Sequence, residues 1–328
     1  ANHAGPMPLY GPGSRTCGTE VVDAAFFRFV RGAAPIFGPR EPVADVGIYY
    51  SSSSQLIELL PGGFRDHADQ PHGFSFYGWG TALTYLHVPW RAVPEWKLDA
   101  ETLRGLRLLV IPSAIVAPSL AELQALKEWV VKDGGRLIVA GKCAELLNEE
   151  DSFGWIGSNG KSLPLYDGAN GACFDSRRMR EWRGDVVWLT EDPGIAFYKA
   201  GAERPGMLAA FEGAMAEVGA PVSGMSLAAG GVPWDVGLTL YGAPGRLFVD
   251  ASNARIDIGT DEIQQAPATR FSVALPRELR GRALSARALC PDGEPAVALK
   301  VVGEGRAEVS LGEFEVYASV VIEAKEER

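Results

Sequence analysis

The sequence predicts an α/β domain with an open, mostly parallel sheet, followed by a small all-β antiparallel sandwich. Two observations support this prediction. Between residues 103 and 143, continuous apolar runs alternate with an amphipathic helical pattern, which is typical of strands buried on both faces of a parallel sheet. After Pro233 the chain changes to short β-like runs separated by Gly, Pro, Asn and Asp, with no helix of useful length between them.

The composition is that of an ordinary globular protein. Hydrophobic residues make up 47% and charged residues 22% of the 328 residues, which is enough material for two domains. Asp and Glu number 41 against 31 Lys and Arg, so the formal net charge is −10. Such a chain has no general attraction for nucleic acid or anionic lipid, and no apolar run approaches the ~20 residues of a membrane helix. We expect neither partner, and a cytoplasmic location unless a leader was removed.

The first predicted elements precede the clearest part of the sheet. A helix is predicted from Thr19, where apolar residues recur every three or four positions, and Pro35 together with the GPREP run at 38–42 is predicted to end it. A strand is predicted over residues 43–50, because β-forming residues end there in a run of serines. Residues 61–73 have the Gly, His and Asp content of a loop, and the aromatic segment 74–86 is predicted to be helical.

A strand–helix–strand unit follows. The apolar runs at 106–111 and 136–141 are predicted to be buried strands. Ser119 and Glu122 form an S-x-x-E capping box at the start of the helix between them, and Gly134 provides its C-terminal cap. Such a unit with short connections favours parallel strands joined by a right-handed crossover.

The C-terminal sandwich is predicted from short β-like runs, separated by turn residues at the spacing typical of such folds. The boundary between the two domains is placed in the Gly-containing segment 222–234. The predicted strands lie at residues 236–241, 246–251, 271–275, 283–289, 296–302, 307–311 and 314–323.

Several of these segments together resemble the C-terminal half of a class of glycoside hydrolases that includes bacterial β-galactosidases with a trimerisation domain. The matching residues are LRGLRLLVIP (103–112), LAELQALKEWVVKDGGRLIVAG (120–141), ARALCPDGE (286–294) and LGEFEVYASVVIEA (311–324). In that class a (β/α)8 catalytic barrel is followed by a class I glutamine-amidotransferase-like, flavodoxin-like α/β domain and then by a small β-sandwich. The resemblance therefore implies the same order of domains here.

The resemblance implies a role for each part of the chain. Residues 1–42 would be the last loop and helix of the barrel or an N-terminal extension, residues 43–225 the amidotransferase-like domain, and residues 234–328 the sandwich. The chain would be a non-catalytic part of a β-galactosidase-like hydrolase, which assembles subunits and shapes the active-site cleft. The implied partners are a catalytic barrel in the same longer chain or in a companion chain, further copies in a homo-oligomer such as a trimer, and a carbohydrate substrate. No cofactor is implied.

No catalytic residue is assigned. Retaining glycosidases need two carboxyl groups about 5–5.5 Å apart, and in barrels these lie at strand ends for which this sequence has no match. Asn2 and His3 would lie in the implied barrel loop, which makes them candidates for contact with substrate at the rim of the cleft. Four aromatic residues could form a sugar-stacking surface, or could belong to the core or to a subunit interface. These are Tyr77, Trp79, Trp90 and Trp96.

Two alternative functions stay open. One is a self-contained Cys-dependent hydrolase or amidotransferase that uses Cys143, which follows a buried strand, although all four histidines precede it and a structural cysteine is the simpler interpretation. The other is a free-standing carbohydrate-binding module that uses the region of Trp79 and Trp90. His67 and His72 lie in the predicted loop, where a solvated loop is a simpler interpretation than a metal site. No metal is therefore expected.

Overall fold

The computed structural model describes residues 19–59, 70–114, 116, 118–141, 186–189, 191–257, 262–303 and 305–325. The chain divides into two compact units. The α/β unit is Ala44–Ser226, and the sandwich unit combines Ala1–Val43 with Leu227–Arg328. None of the described helices is both long enough and apolar enough to cross a membrane.

The elements up to residue 226 are a mixture of helices and strands. All except the helix Thr19–Phe37 and the strand Glu41–Pro42 lie in the α/β unit. In chain order they are α1 (Thr19–Phe37), β1 (Glu41–Pro42), β2 (Val46–Tyr50), α2 (Ser52–Leu59), α3 (Pro71–Tyr85), β3 (Trp90–Pro94), α4 (Ala100–Leu103), β4 (Leu108–Pro112), α5 (Leu120–Asp133), β5 (Arg136–Ala140), β6 (Val186–Leu189), α6 (Pro193–Lys199) and α7 (Leu208–Glu217).

The sheet of the α/β unit contains five parallel strands in the order β3-β2-β4-β5-β6. Numbered within this sheet, the order is 2-1-3-4-5, one of the two common orders of doubly wound α/β sheets. The continuous apolar sequence of β4 follows from burial on both faces. Leu108 and Val110 pack into one core with α3 and α7, whereas Leu109 and Ile111 pack into the other core with α5. The predicted parallel sheet is confirmed.

Local sequence determines both ends of α5. The Ser119 side chain accepts a hydrogen bond from the Glu122 backbone, and the Glu122 side chain accepts one from the Ser119 backbone, so the predicted capping box is present. Gly134 ends the helix with a φ of 71°, a left-handed conformation that glycine adopts without steric cost.

The elements after residue 226 are strands, arranged in two sheets with a short hairpin beside them. One sheet has the order β1-β8-β9-β16-β13, and the other has the order β14-β15-β12-β7. Every pairing in them is antiparallel, as predicted. The strands are β7 (Leu227–Ala228), β8 (Val236–Ala243), β9 (Arg246–Asn253), β10 (Ile256–Asp257), β11 (Glu262–Ile263), β12 (Thr269–Ala274), β13 (Leu284–Leu289), β14 (Val297–Val302), β15 (Arg306–Leu311) and β16 (Tyr317–Ala324).

Residues from the first part of the chain complete the sandwich unit. Strand β1 pairs with β8, and Phe37 at the end of α1 contacts the ring of Phe248 edge to face. Between these elements, the Arg40 guanidinium donates two hydrogen bonds to Asp250, 3.0 and 2.6 Å long. Its carbon centre lies 4.3 Å from the ring centroid of Tyr241. Segment 19–43 is therefore held by aromatic packing and a half-buried ion pair.

Helix α1 ends at Phe37, directly before the GPREP run at 38–42 that is predicted above to help end it, and Gly38 there has a φ of 49°. Pro35 itself lies inside the last part of the helix and does not end it. The predicted loop over 61–73 is too long, because α3 begins at Pro71 and includes His72 in its first turn. Proline at the first helical position is favourable, since the N–H that it lacks would be unpaired there.

Candidate functional site

In doubly wound sheets, ligands bind outside the carboxyl ends of the strands, where the strand order reverses. In the α/β unit that point lies between β2 and β4, because the chain moves from β2 to β3 on one side and then to β4 on the other. Ser51 follows β2, Ser113 follows β4 and Glu95 follows β3. We call the polar residues at this edge the carboxyl-edge cluster. Its members are Ser51, Ser52, Ser53, Ser54, Glu58, His72, Ser75, Glu95, Ser113 and Asp192.

The Glu95 carboxylate is surrounded by donors from the start of α2. The hydroxyls of Ser51, Ser52 and Ser53 donate to it over 3.0, 2.5 and 2.8 Å. The backbone N–H of Ser53 also donates to both carboxylate oxygens, at 3.2 and 3.1 Å. Burial alone would raise the pKa of Glu95, but the hydrogen bonds from Ser52, Ser53 and Ser51 outweigh burial and hold the pKa below its ordinary value. Glu95 is thus a charged anchor for the start of α2.

His72 joins the ends of the two strands at the reversal point. Its Nε2 accepts the backbone N–H of Ser51 at 2.9 Å, and its Nδ1 lies 2.7 Å from the carbonyl oxygen of Pro112. These partners require a neutral ring that carries its proton on Nδ1. Burial lowers the pKa of His72 to about 4, against weaker opposite effects of the Pro112 carbonyl and the Glu95 charge. The ring is therefore neutral at physiological pH.

Glu58 caps the start of α3. Its two carboxylate oxygens accept the backbone N–H groups of His72 and Gly73, at 2.7 and 3.3 Å. A carboxylate at a helix N-terminus satisfies otherwise unpaired N–H groups and interacts favourably with the helix dipole. The contact holds the end of α2 against the first turn of α3.

Asp192 accepts hydrogen bonds from four groups in three places of the unit. Its carboxylate accepts hydrogen bonds from the hydroxyls of Ser75 and Ser113, at 2.5 and 2.6 Å, and from the indole N–H of Trp79 at 3.2 Å. It also accepts the backbone N–H of Gly194 at 2.8 Å, which caps α6. Ser113 has a φ of 37°, an uncommon conformation for a residue other than glycine. A strained serine at a strand end is a position where nucleophiles occur.

The bonding of the cluster does not supply nucleophilic catalysis. A serine nucleophile needs a base that can remove its proton. Within the described residues, the Ser113 hydroxyl donates a hydrogen bond to Asp192. His72 is not free to act as the base, because both of its ring nitrogens contact backbone groups. Ser113 is also only 1% exposed. The cluster is therefore a buried polar framework that fixes the strand ends and two helix starts.

The four aromatic residues from the sequence prediction have different environments. Trp79 is fully buried and contacts Phe211 edge to face, so of the possible environments given above the core is the one that it occupies. Trp90 is partly buried, and its indole N–H donates to Thr84 at 3.0 Å. Tyr77 and Trp96 are 58% and 66% exposed, so their proposed roles in stacking or at an interface stay predictions.

Other predicted site residues lie outside the described part of the chain. They are Asn2, His3, His67 and Cys143. His72, expected in a solvated loop, is instead fully buried, because helix α3 begins before it. No group of three or more potential metal ligands occurs among the described residues.

Sequence reasoning missed most of the carboxyl-edge cluster. The available signal was a polar residue directly after each apolar strand, as at Ser51 after β2 and Ser113 after β4. Asp192 also follows an apolar strand, β6, but its partners Ser75 and Ser113 lie 117 and 79 positions away and could not be identified from the sequence.

No protein-family model and no curated protein matches the sequence. Solved structures do resemble the fold. The α-L-fucosidase isoenzyme 2 from Paenibacillus thiaminolyticus matches 92% of this chain with a TM-score of 0.58 and 12% identity. A β-galactosidase from Bacillus circulans sp. alkalophilus matches 91% with a TM-score of 0.50 and 9% identity. The chain spans 51% of the fucosidase and 44% of the β-galactosidase, about half the length of each.

Proposed function

We propose that this chain is the C-terminal, non-catalytic part of a glycoside hydrolase, which serves subunit assembly and shapes the active-site cleft. The match with the fucosidase is the main support. It covers 92% of this chain but only 51% of that enzyme, so about half of the enzyme has no counterpart here. The catalytic barrel would be supplied by the same longer chain or by a companion chain.

The bonding of the carboxyl-edge cluster gives independent support for a non-catalytic role. Its carboxylates accept hydrogen bonds from serine hydroxyls and backbone N–H groups at short range. Carboxylates bonded in this way stabilise a fold, whereas a general acid must hold a proton near neutral pH. The cluster would thus position the surface of the α/β unit rather than act on a glycosidic bond.

The finer parts of the proposal concern the type of enzyme and its assembly. We propose a β-galactosidase-like or related O-glycosyl hydrolase, an amidotransferase-like α/β domain, and a homo-oligomer that includes a trimer among its possible states. The strand order 2-1-3-4-5 supports the domain type, because flavodoxin-like folds share it. The exposed rings of Tyr77 and Trp96 support an interface role, since aromatic residues are enriched at interfaces.

Hydrolysis of aryl glycosides tests the non-catalytic role. We expect no turnover of 4-nitrophenyl α-L-fucoside or β-D-galactoside by this chain alone, and turnover of one of them when the chain is joined to its catalytic barrel. Turnover by the isolated chain that is lost in Cys143→Ser would instead establish the Cys-dependent alternative. In that case Cys143 would also react with iodoacetamide faster than a model thiol, because a catalytic cysteine is held as a thiolate.

Light scattering tests the assembly role. The intact hydrolase at micromolar concentration should have the mass of an oligomer. A monomer at every concentration would contradict the assembly role and leave the cleft-shaping role to be judged by the activity assay.

A further inference from the structure

A cavity of about 710 Å³ lies in the sandwich unit. Its volume is within the range of about 300–1,000 Å³ that is typical of small-molecule sites. Two turns form it, one after β12 and one between β14 and β15. The lining residues are Leu279, Arg280, Gly281, Arg282, Val301, Gly303 and Gly305.

The cavity is basic in a protein that is acidic overall. Arg280 and Arg282 line it, and Arg277 is exposed on the same turn. Within the described part of the chain, no ion pair engages any of these three arginines. Glu278 lies in the same turn, and Glu304, between Gly303 and Gly305 in the sequence, is outside the described residues. The chain has a formal net charge of −10, so three arginines within residues 277–282 are a local electrostatic exception.

Arg280 is held in position for binding. Its Nε donates to the carbonyl oxygen of Leu275 at 2.9 Å, and the Leu275 backbone N–H donates to Gly305 at 2.8 Å. The central carbon of the guanidinium lies 3.9 Å from the position that a β-carbon at Gly305 would have, so the group packs beside this turn at van der Waals distance. The two terminal nitrogens of Arg280 make no hydrogen bond within the described part of the chain and present the fork that binds oxyanions in bidentate fashion.

The rest of the cavity suits a ring with hydroxyl groups. Val301 is 47% exposed and provides an apolar wall, and Gly281, Gly303 and Gly305 add no side chains to the cavity. We propose that this cavity binds an anionic carbohydrate, through a carboxylate or sulfate group that Arg280 and Arg282 hold. The inference rests on the proposed function, which makes carbohydrate the available ligand class, and places a binding site in the sandwich unit, remote in sequence from the carboxyl-edge cluster.

Calorimetric titration of the whole chain tests the site with four probes. They are tetragalacturonate, a sulfated fuco-oligosaccharide, neutral galactotetraose and inorganic sulfate. We expect binding of one or both anionic oligosaccharides and at least about tenfold weaker binding of the other two probes, because the site needs both charge and ring. The first two probes distinguish a carboxylate ligand from a sulfate ligand. Equal affinity for inorganic sulfate and the sulfated oligosaccharide, or no binding of either anionic oligosaccharide, would overturn the proposal.

Variants locate the binding. Arg280→Gln and Arg282→Gln should each weaken it by about tenfold or more. The matched control is Arg287→Gln, which removes an arginine of the same unit that is paired with Glu323. An equal loss of affinity in Arg287→Gln would show that the attraction is non-specific and would refute the site. Thermal midpoints of the variants that equal the wild-type midpoint would exclude misfolding. The titration does not depend on hydrolysis, so turnover by the isolated chain would refute the proposed function alone, whereas absent binding would refute the cavity alone.

Discussion

At the scale of single residues, His72 makes the stability of the α/β unit depend on pH. Its folded-state pKa is about 4, and the ordinary value is 6.5. Below pH 6.5 the unfolded chain therefore binds a proton that the folded chain does not, so the contribution of His72 to stability is complete above pH 6.5 and is lost as the pH falls toward 4. The loss should reach about 3 kcal/mol at low pH, since one unit of pKa corresponds to about 1.4 kcal/mol.

Urea unfolding between pH 7.5 and 4.5 checks this prediction. The wild-type free energy of unfolding should decrease with acidification, and His72→Gln should be less stable at pH 7.5 but flatter in its pH dependence. If the free energy of unfolding fell equally with pH in the wild type and in His72→Gln, His72 would not be the cause of the pH dependence.

Arg40 is a second residue whose chemistry can be tested. Its guanidinium combines two hydrogen bonds to Asp250 with a position over the Tyr241 ring. A lysine keeps the charge but loses the planar fork, so Arg40→Lys should destabilise the sandwich unit by about 1–3 kcal/mol. The control Arg287→Lys changes a half-exposed arginine in a surface pair and should cost at most about 0.5 kcal/mol. Chemical denaturation of both variants measures the difference, and equal costs would contradict the role of the fork.

At the scale of elements, glycine determines how closely α3 and α6 approach. A β-carbon at Gly78 would lie 1.9 Å from the carbonyl oxygen of Gly194, which is backbone and cannot rotate away. Gly78→Ala should therefore destabilise the α/β unit by about 1–3 kcal/mol or more. Gly213→Ala in α7 is the matched control, because no atom lies within 4 Å of the added carbon. Gly213→Ala should stabilise the unit by about 0.5–1 kcal/mol. In thermal unfolding, the midpoint of Gly78→Ala should lie below that of the wild type and the midpoint of Gly213→Ala above it.

Elements governed by local patterns could be predicted from the sequence, and elements governed by distant contacts could not. The strands β4 and β5, the capping box of α5 and the runs that became β8, β9 and β12–β16 all follow from periodicity and turn residues. Helix α2 was missed because its serines resemble a turn, and they become helical where Glu95 caps them from more than 40 positions away. Helix α6 differs, because its start is signalled locally by Asp192 as the N-cap and by proline at the first helical position.

The same distinction applies to the sites. Trp79 and Tyr77 are both aromatic residues of α3, but one is fully buried and the other is 58% exposed. Their sequence context does not distinguish these environments, because α3 is apolar around most of its circumference. The cavity at Arg280 joins two turns that are about 20 residues apart, and only their folded arrangement reveals it.

At the scale of the whole molecule, the sandwich unit requires residues from before the α/β unit. Deleting residues 1–43 would remove β1 and Arg40, and would leave the carboxylate of Asp250 with Ser319 but without its cation. We expect the sandwich unit of this variant to unfold at a lower temperature, by roughly 5 °C or more for a loss of a few kcal/mol. Near-ultraviolet circular dichroism and calorimetry would measure the shift. An unchanged sandwich transition would show that segment 19–43 adds no stability.

The discontinuous sandwich unit has a consequence for biosynthesis. Strand β1 must pair with residues 241–242, and β9 must pair with β16 at residues 317–323. Because ribosomes add about 5–20 residues per second, the early segment 19–43 emerges many seconds before its partners exist. The α/β unit, complete at Ser226, can fold during that interval. Nascent chains therefore carry α1 without its native packing partners, and a chaperone that shields apolar helices would be expected to act during this period.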